Sequence, residues 1–126
     1  GSTVETVENG LHHFAMNGRG VKEIVFSKLP GTLFAFLDEF GVAKDEVAHV
    51  VPHQGNAVML RELEKELAFP LARVHSTVTE YGNTGSASIP VTLDAAVRGG
   101  EFKPGEKVLL TAFGGGFTFG YALVEW

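Results

Sequence analysis

Apolar residues recur at Val21, Ile24, Val25, Leu29, Leu33, Phe36, Leu37 and Phe40, close to the spacing of one helix face. Pro30-Gly31 falls inside this stretch. Proline has no amide proton and crowds the preceding turn, so the pattern predicts two helices or one kinked helix over 21–40. Gly41 suits the residue just past a helix end. Residues 1–13 are polar and aperiodic and read as a loop or frayed lead-in. Gly1-Ser2 has the look of a cleaved-tag remnant. Further on, Val47-Ala48-His49-Val50-Val51 is a short β-branched run that ends at Pro52 and predicts a buried strand. Residues 56–67 carry Val58, Met59, Leu63 and Leu67 at helical spacing, and 74–78 predict a short strand. Residues 86–97 predict a helix with Ile89, Leu93 and Val97 on one face and Pro90 in its first turn. Lys103-Pro104-Gly105 is a turn signal, 108–113 a strand, Gly114-Gly115-Gly116 a break, and 117–126 an alternating closing strand.

Strands that alternate with helices predict a layered α/β domain with a largely parallel sheet. The last two strands, joined only by the glycine break, are expected to run antiparallel. The 126 residues make one domain. A hydrophobic share of 44% removes a disordered chain from consideration. A net charge of −5 argues against nucleic acid or an anionic membrane as the main partner. No apolar run reaches the roughly 18 residues that a bilayer crossing needs, and no secretory signal is visible. The chain has no cysteine, so it offers no disulfide, no thiolate metal ligand and no thiol nucleophile of its own.

Three polar or glycine-rich clusters follow predicted strands: Pro52-His53-Gln54-Gly55-Asn56, Tyr81-Gly82-Asn83-Thr84-Gly85-Ser86 and Phe113-Gly114-Gly115-Gly116-Phe117. Sites in open α/β sheets form at the carboxyl ends of strands, where three such loops converge. His53 would bring a titratable donor, Asn83 a neutral amide donor, and the glycines bare backbone N–H groups, a set suited to an oxyanion or enolate. Blander roles exist for each. Asn83 ahead of a helix also suits an N-cap, and the triple glycine also suits a bulge or tight turn. Gln54 and Asn56 read as supports for the His53 loop. His49 and His53 share strand-neighbour spacing but are not read as a metal pair, and His12, His13 and His75 have no evident partner.

These clusters carry a resemblance to ketoacyl synthase III enzymes. His53-Gln54-Gly55-Asn56 resembles their HQAN motif, with Gly for Ala. Residues 82–90 resemble their GNTSAASIP segment, with Gly85-Ser86 for Ser-Ala, and 113–120 resemble their FGGGFTWG, with Phe119 for Trp. Met16-Asn17-Gly18-Arg19 is similar to the start of their C-terminal half, and the resemblance implies that domain over 14–126. The resemblance implies one half of a thiolase-like fold: a mixed, mostly parallel five-stranded sheet with helices on both faces. It implies a cytoplasmic acyltransferase of fatty acid biosynthesis that needs no cofactor, takes acyl-CoA and a malonyl thioester, and forms a homodimer. A Cys on the N-terminal half would carry the acyl group. His53 and Asn83 match the pair that stabilises the enolate as carbon dioxide leaves. Gly115 matches an oxyanion-hole N–H, and Phe113 a phenylalanine packed near the thiol.

The pattern departs from the family at the surface that meets acyl carrier protein. Val58 stands where the family usually has Arg, and Glu23 and Glu66 fall where Lys is common. Like charge opposes an acidic carrier, although Arg61 and Lys65 stand one helical turn on. Two other readings follow: a ketoacyl synthase III relative of specialised metabolism with another acyl acceptor, and a non-catalytic partner subunit of a Cys-bearing chain.

Overall fold

A computed structural model describes residues 2–13 and 16–126. The expected domain start at Phe14 and the expected tag residue Gly1 lie outside the described residues.

The lead-in contains a short helix, α1 (Val4–Glu8), where the periodicity predicts only a loop. It buries nothing. Local capping makes it: Thr3 Oγ1 accepts from the Thr6 N–H at 3.2 Å, and Thr6 Oγ1 accepts from the Thr3 N–H at 2.7 Å. Helix α2 (Gly18–Glu39) is one continuous helix across Pro30, not two. A proline inside a helix costs about 3 kcal/mol or more. Along the same helix, Val25, Leu29, Leu33 and Leu37 are all at most 2% exposed, and each such side chain contributes about 1.5–3 kcal/mol. The buried stripe therefore outweighs the break. Thr32 Oγ1 lies 3.1 and 3.2 Å from the carbonyls of Lys28 and Leu29, next to the proline. The helix closes as expected at Gly41, whose φ is +63°. Gly41 N–H donates to Asp38 and Val42 N–H to Leu37, the paired bonds of a Schellman end.

Strand β1 (Val47–Pro52) lies inside the sheet. It runs parallel to β2 (Arg73–Val74) on one side and to β3 (Lys107–Gly114) on the other. β3 pairs antiparallel with β4 (Thr118–Glu125) through the glycine connection. The order is β2-β1-β3-β4, a mixed and mostly parallel sheet. It has four strands among the described residues, which corrects the expected five. The described chain ahead of β1 forms α1, α2 and a 3-10 turn at Lys44–Glu46, with no further extended segment. β2 is also shorter than predicted. Gln54 Oε1 takes the N–H groups of Thr77 and Val78, and the chain there turns into α4 (Val78–Tyr81).

Side chains alternate across the sheet. Val50, Val74, Leu109, Tyr121 and Leu123 face α2 and α3 (Ala57–Leu67) in the main core. His49, Val51 and Val108 have the opposite parity and are also buried. Helix α5 (Ser88–Arg98) packs against β1, so helices cover both faces. Its buried seam is Ser88, Thr92 and Ala96, not the predicted row of Ile89, Leu93 and Val97. Small residues let the helix approach the sheet closely. Thr92 Oγ1 secures the seam, donating to the Ser88 carbonyl at 2.8 Å and lying 2.6 Å from Thr77 Oγ1. Ile89 lines a cleft instead, and Val97 is 42% exposed.

Candidate active site

The loops after β1, β2 and β3 meet at the carboxyl end of the sheet, as the strand order requires. They line a cleft of about 800 Å³ together with the start of α2. His53, Asn83, Phe113 and Gly115 all contribute to its wall, and so does Asn56. The three segments singled out in the sequence thus line one cleft.

His53 follows β1 directly. Its backbone N–H still donates to the Thr111 carbonyl of β3 at 2.8 Å, which ties the residue to the sheet. Its Nδ1 lies 2.8 Å from Ser88 Oγ. The Phe113 ring stands edge-on to the imidazole, with centroids 5.1 Å apart and planes at 87°. Burial pushes the imidazole below its ordinary pKa, partly opposed by the Gly85 backbone carbonyl. The ring is therefore neutral near pH 7, with one nitrogen held and the other free to act.

Gln54 is a support rather than a reactive group. It is 1% exposed. Its Nε2 donates to the carbonyls of Pro52 and His75, at 2.8 and 3.3 Å. Its Oε1 accepts from the N–H groups of Thr77 and Val78 at 2.9 and 3.1 Å. One amide thus fastens the His53 loop to the segment that leads to Asn83. Asn56 caps α3, with Oδ1 accepting from the Met59 N–H at 2.8 Å. Between them, Gly55 leaves room for the methyl that the family carries: an added Cβ would sit 3.6 Å from Phe113 and 3.8 Å from His53, ordinary contact distances.

Asn83 is not a helix N-cap. α5 begins at Ser88, after a 3-10 turn at Gly85–Ala87. The Asn83 Oδ1 accepts from the Gly85 N–H at 2.9 Å, an Asx-type turn. This fixes the amide with its oxygen turned into the loop and leaves the NH₂ as the available donor. Gly115 opens a 3-10 turn, Gly115–Phe117, whose first N–H groups have no partner inside the turn. Gly116 has φ +74° and Phe117 φ +56°. A left-handed aromatic residue is strained, and this one sits on the cleft wall.

A second histidine cluster escaped the sequence reading. His49 and His75 are 6% and 7% exposed. His49 Nδ1 lies 3.0 Å from His75 Nε2, and His49 Nε2 lies 3.0 Å from Glu106 Oε2. Glu106 also accepts from the Lys103 N–H, and that bond first, then His49, holds its carboxyl below the usual range. Phe102 stacks edge-on against both imidazoles. No pattern in the sequence links residues 49, 75 and 106; only strand pairing does. Among the described residues, no group of acidic or histidine side chains is placed to hold a metal ion.

At the surface, Val58 is 56% exposed in the first turn of α3. The exposed or half-buried charges along that helix are Arg61 and Lys65 against Glu62, Glu64 and Glu66, two cations and three carboxylates. Glu62 is paired with Lys22 of α2.

The fold is that of a thiolase-like C-terminal half. Residues 37–126 match the family described as 3-oxoacyl-[acyl-carrier-protein (ACP)] synthase III C terminal, and the chain belongs to that family. It is 53% identical over 120 residues to the acetoacetyl CoA synthase NphT7 of a Streptomyces species, covering 95% of this chain and 36% of that protein. It is 39% identical over 114 residues to the beta-ketoacyl-[acyl-carrier-protein] synthase III of Desulfotalea psychrophila, covering 90% and 35%. Among solved structures, the 3-oxoacyl-(acyl carrier protein) synthase III FabH of Pseudomonas aeruginosa superposes with a TM-score of 0.83 at 34% identity, covering 90% of this chain and 36% of that one. OleA of Xanthomonas campestris superposes at 0.82 with 26% identity, covering 88% and 32%. The chain spans about a third of the length of these relatives.

Proposed function

We propose that this chain is the C-terminal catalytic half of an acyltransferase that condenses an acyl thioester with a malonyl thioester and releases carbon dioxide. The observation that carries the reading is the convergence of His53, Asn83 and Gly115 on one cleft. The malonyl carboxylate leaves as carbon dioxide, and its bonding electrons pass into an enolate. The neutral His53 imidazole and the Asn83 NH₂ donate to that enolate oxygen. The enolate carbon then attacks the acyl carbonyl, the Gly115 N–H holds the oxyanion, and the thiolate that carried the acyl group departs. The chain has no cysteine, so the acyl-carrying thiol comes from an N-terminal half. The family also points to a cytoplasmic homodimer in fatty acid biosynthesis. The test is direct. Purified 1–126 chain should give no condensation with acyl-CoA and malonyl thioester, and the chain joined to its Cys-bearing half should give it. Activity of the chain alone would overturn the assignment of the nucleophile.

A second reading differs only in the acceptor. The α3 surface has an exposed Val58 and no excess of cations once Lys22 is paired with Glu62, which weakens docking of an acidic acyl carrier protein and leaves malonyl-CoA as the alternative acceptor. The name of the Streptomyces relative, a CoA thioester synthase, agrees with it. The ratio of kcat/KM for malonyl-CoA and malonyl-carrier protein decides between them. Val58→Arg should raise use of the carrier protein if the charge argument holds.

A further inference from the structure

We infer that Ser88 is a positioning residue for His53: its hydroxyl holds the imidazole in the tautomer that carries the proton on Nε2, the nitrogen left free for substrate. Ser88 is 1% exposed, so bulk water does not complete its bonding. A hydroxyl has one proton and two lone pairs. The Gln54 N–H donates into the Ser88 oxygen at 3.2 Å and occupies one lone pair. The other partner is His53 Nδ1 at 2.8 Å. If Nδ1 carried the ring proton, it too would donate to this oxygen. The hydroxyl proton would then have no acceptor among the described residues, and a buried donor without a partner is costly. With the proton on Nε2, every group is satisfied: Gln54 N–H donates to Ser88 Oγ, and the Ser88 O–H donates to Nδ1.

The local fold secures this arrangement. Thr92 Oγ1 donates to the Ser88 carbonyl at 2.8 Å. The Ser88 N–H donates to the Gly85 carbonyl, which fixes that group beside the ring. Ser88 belongs to the buried seam of α5 that faces β1. Burial keeps the ring neutral, which makes its tautomer the deciding variable. The wrong tautomer would turn a lone pair toward an enolate oxygen. The right one offers it an N–H. The functional consequence rests on the condensing reading above, whereas the tautomer is a property of this chain.

Long-range 1H–15N correlation on the 15N-histidine-labelled chain at neutral pH reads both ring nitrogens, with His53 assigned by its loss in His53→Asn. The expected result is the Nε2–H form in the wild type, a rise of the Nδ1–H form in Ser88→Ala, and restoration in Ser88→Thr. In the enzyme joined to its Cys-bearing half, Ser88→Ala should lower kcat for malonyl decarboxylation by about 10–100-fold, by analogy with the loss seen when the outer partner of a metal-bound histidine is removed. KM should change little, and Ser88→Thr should recover the rate. A wild-type ring protonated on Nδ1 overturns the inference, as does a Ser88→Ala chain that loses stability but keeps the wild-type tautomer and rate. If Ser88→Ala does not fold, Ser88→Cys decides, since a weaker donor must give an intermediate tautomer mixture. Absence of malonyl decarboxylation with Ser88 intact would instead sink the condensing reading and leave the tautomer result standing.

Discussion

His49 and His53 stand four residues apart along one strand and its exit, yet they are built for different ends. Both nitrogens of His49 are engaged, one by His75 and one by Glu106. His53 has Nδ1 held by Ser88 and its other nitrogen free at a cleft that Asn83 and Gly115 also line. A fully satisfied imidazole locks a fold in place, because every change of partner leaves a buried group unpaired. An imidazole with one nitrogen free has capacity left for chemistry. The distinction lies in tertiary partners and not in residue type.

The largest effects should separate these two histidines by what they damage. In the enzyme joined to its Cys-bearing half, His53→Ala or Asn83→Ala should lower malonyl decarboxylation by about 10²–10³-fold, equal to roughly 3–4 kcal/mol of lost oxyanion stabilisation. Acylation of the cysteine should survive better, so a burst assay with acyl-CoA alone provides the control. If acylation collapsed and decarboxylation persisted, the roles given to the two residues would be wrong. His49→Ala should do the reverse. It leaves His75 and Glu106 without their buried partner and should cost about 1–3 kcal/mol of stability in urea denaturation. The decarboxylation rate per folded molecule should stay unchanged.

Much of this contrast was visible in the sequence only on the His53 side. Strand, loop and helix cap are adjacent residues there, so the order Pro52-His53-Gln54-Gly55-Asn56 already implies its geometry. His49 and His75 are joined by the parallel pairing of β1 with β2, in a register that brings His49 opposite Arg73. No local pattern encodes that register. The same limit explains α5. Apolar spacing selected Ile89, Leu93 and Val97, whereas the fold buries Ser88, Thr92 and Ala96 because closeness to the sheet and the Thr92 hydroxyl bonds outweigh side-chain hydrophobicity. Pro30 likewise signalled a break that packing against the sheet overrode.

A smaller effect tests the buried cluster by pH. Burial first, then His49 and Arg73, hold His75 below its ordinary pKa, with Glu101 partly opposing; burial does the same to His53. On unfolding, these rings bind protons that the folded chain refuses. Stability is therefore fully present above the ordinary histidine value of about 6.5 and is lost as pH falls through the lower folded values. Urea midpoints should drop in this window, and His75→Gln should flatten the drop. A midpoint that rises on acidification would contradict the burial argument. The smallest effect belongs to Gly55→Ala. The added methyl meets only ordinary contacts, and the loss of glycine freedom in the unfolded chain favours the variant by about 0.4–1 kcal/mol. A marked loss of stability would show that the loop beneath His53 requires glycine.

The sequence by itself determined the element types of the long periodic segments, the antiparallel return after the glycines, and the three loops that meet at the cleft. Each of these rests on local chemistry: side-chain period, turn residues and caps. Tertiary structure alone decided that α2 runs unbroken, that the described chain contributes four strands, and which face of α5 is buried. It alone also decided that His49 is paired on both nitrogens while His53 keeps one open. Those outcomes depend on which residues distant in sequence become neighbours, and the free energy of burying and pairing them exceeds the local preferences that a linear reading can weigh.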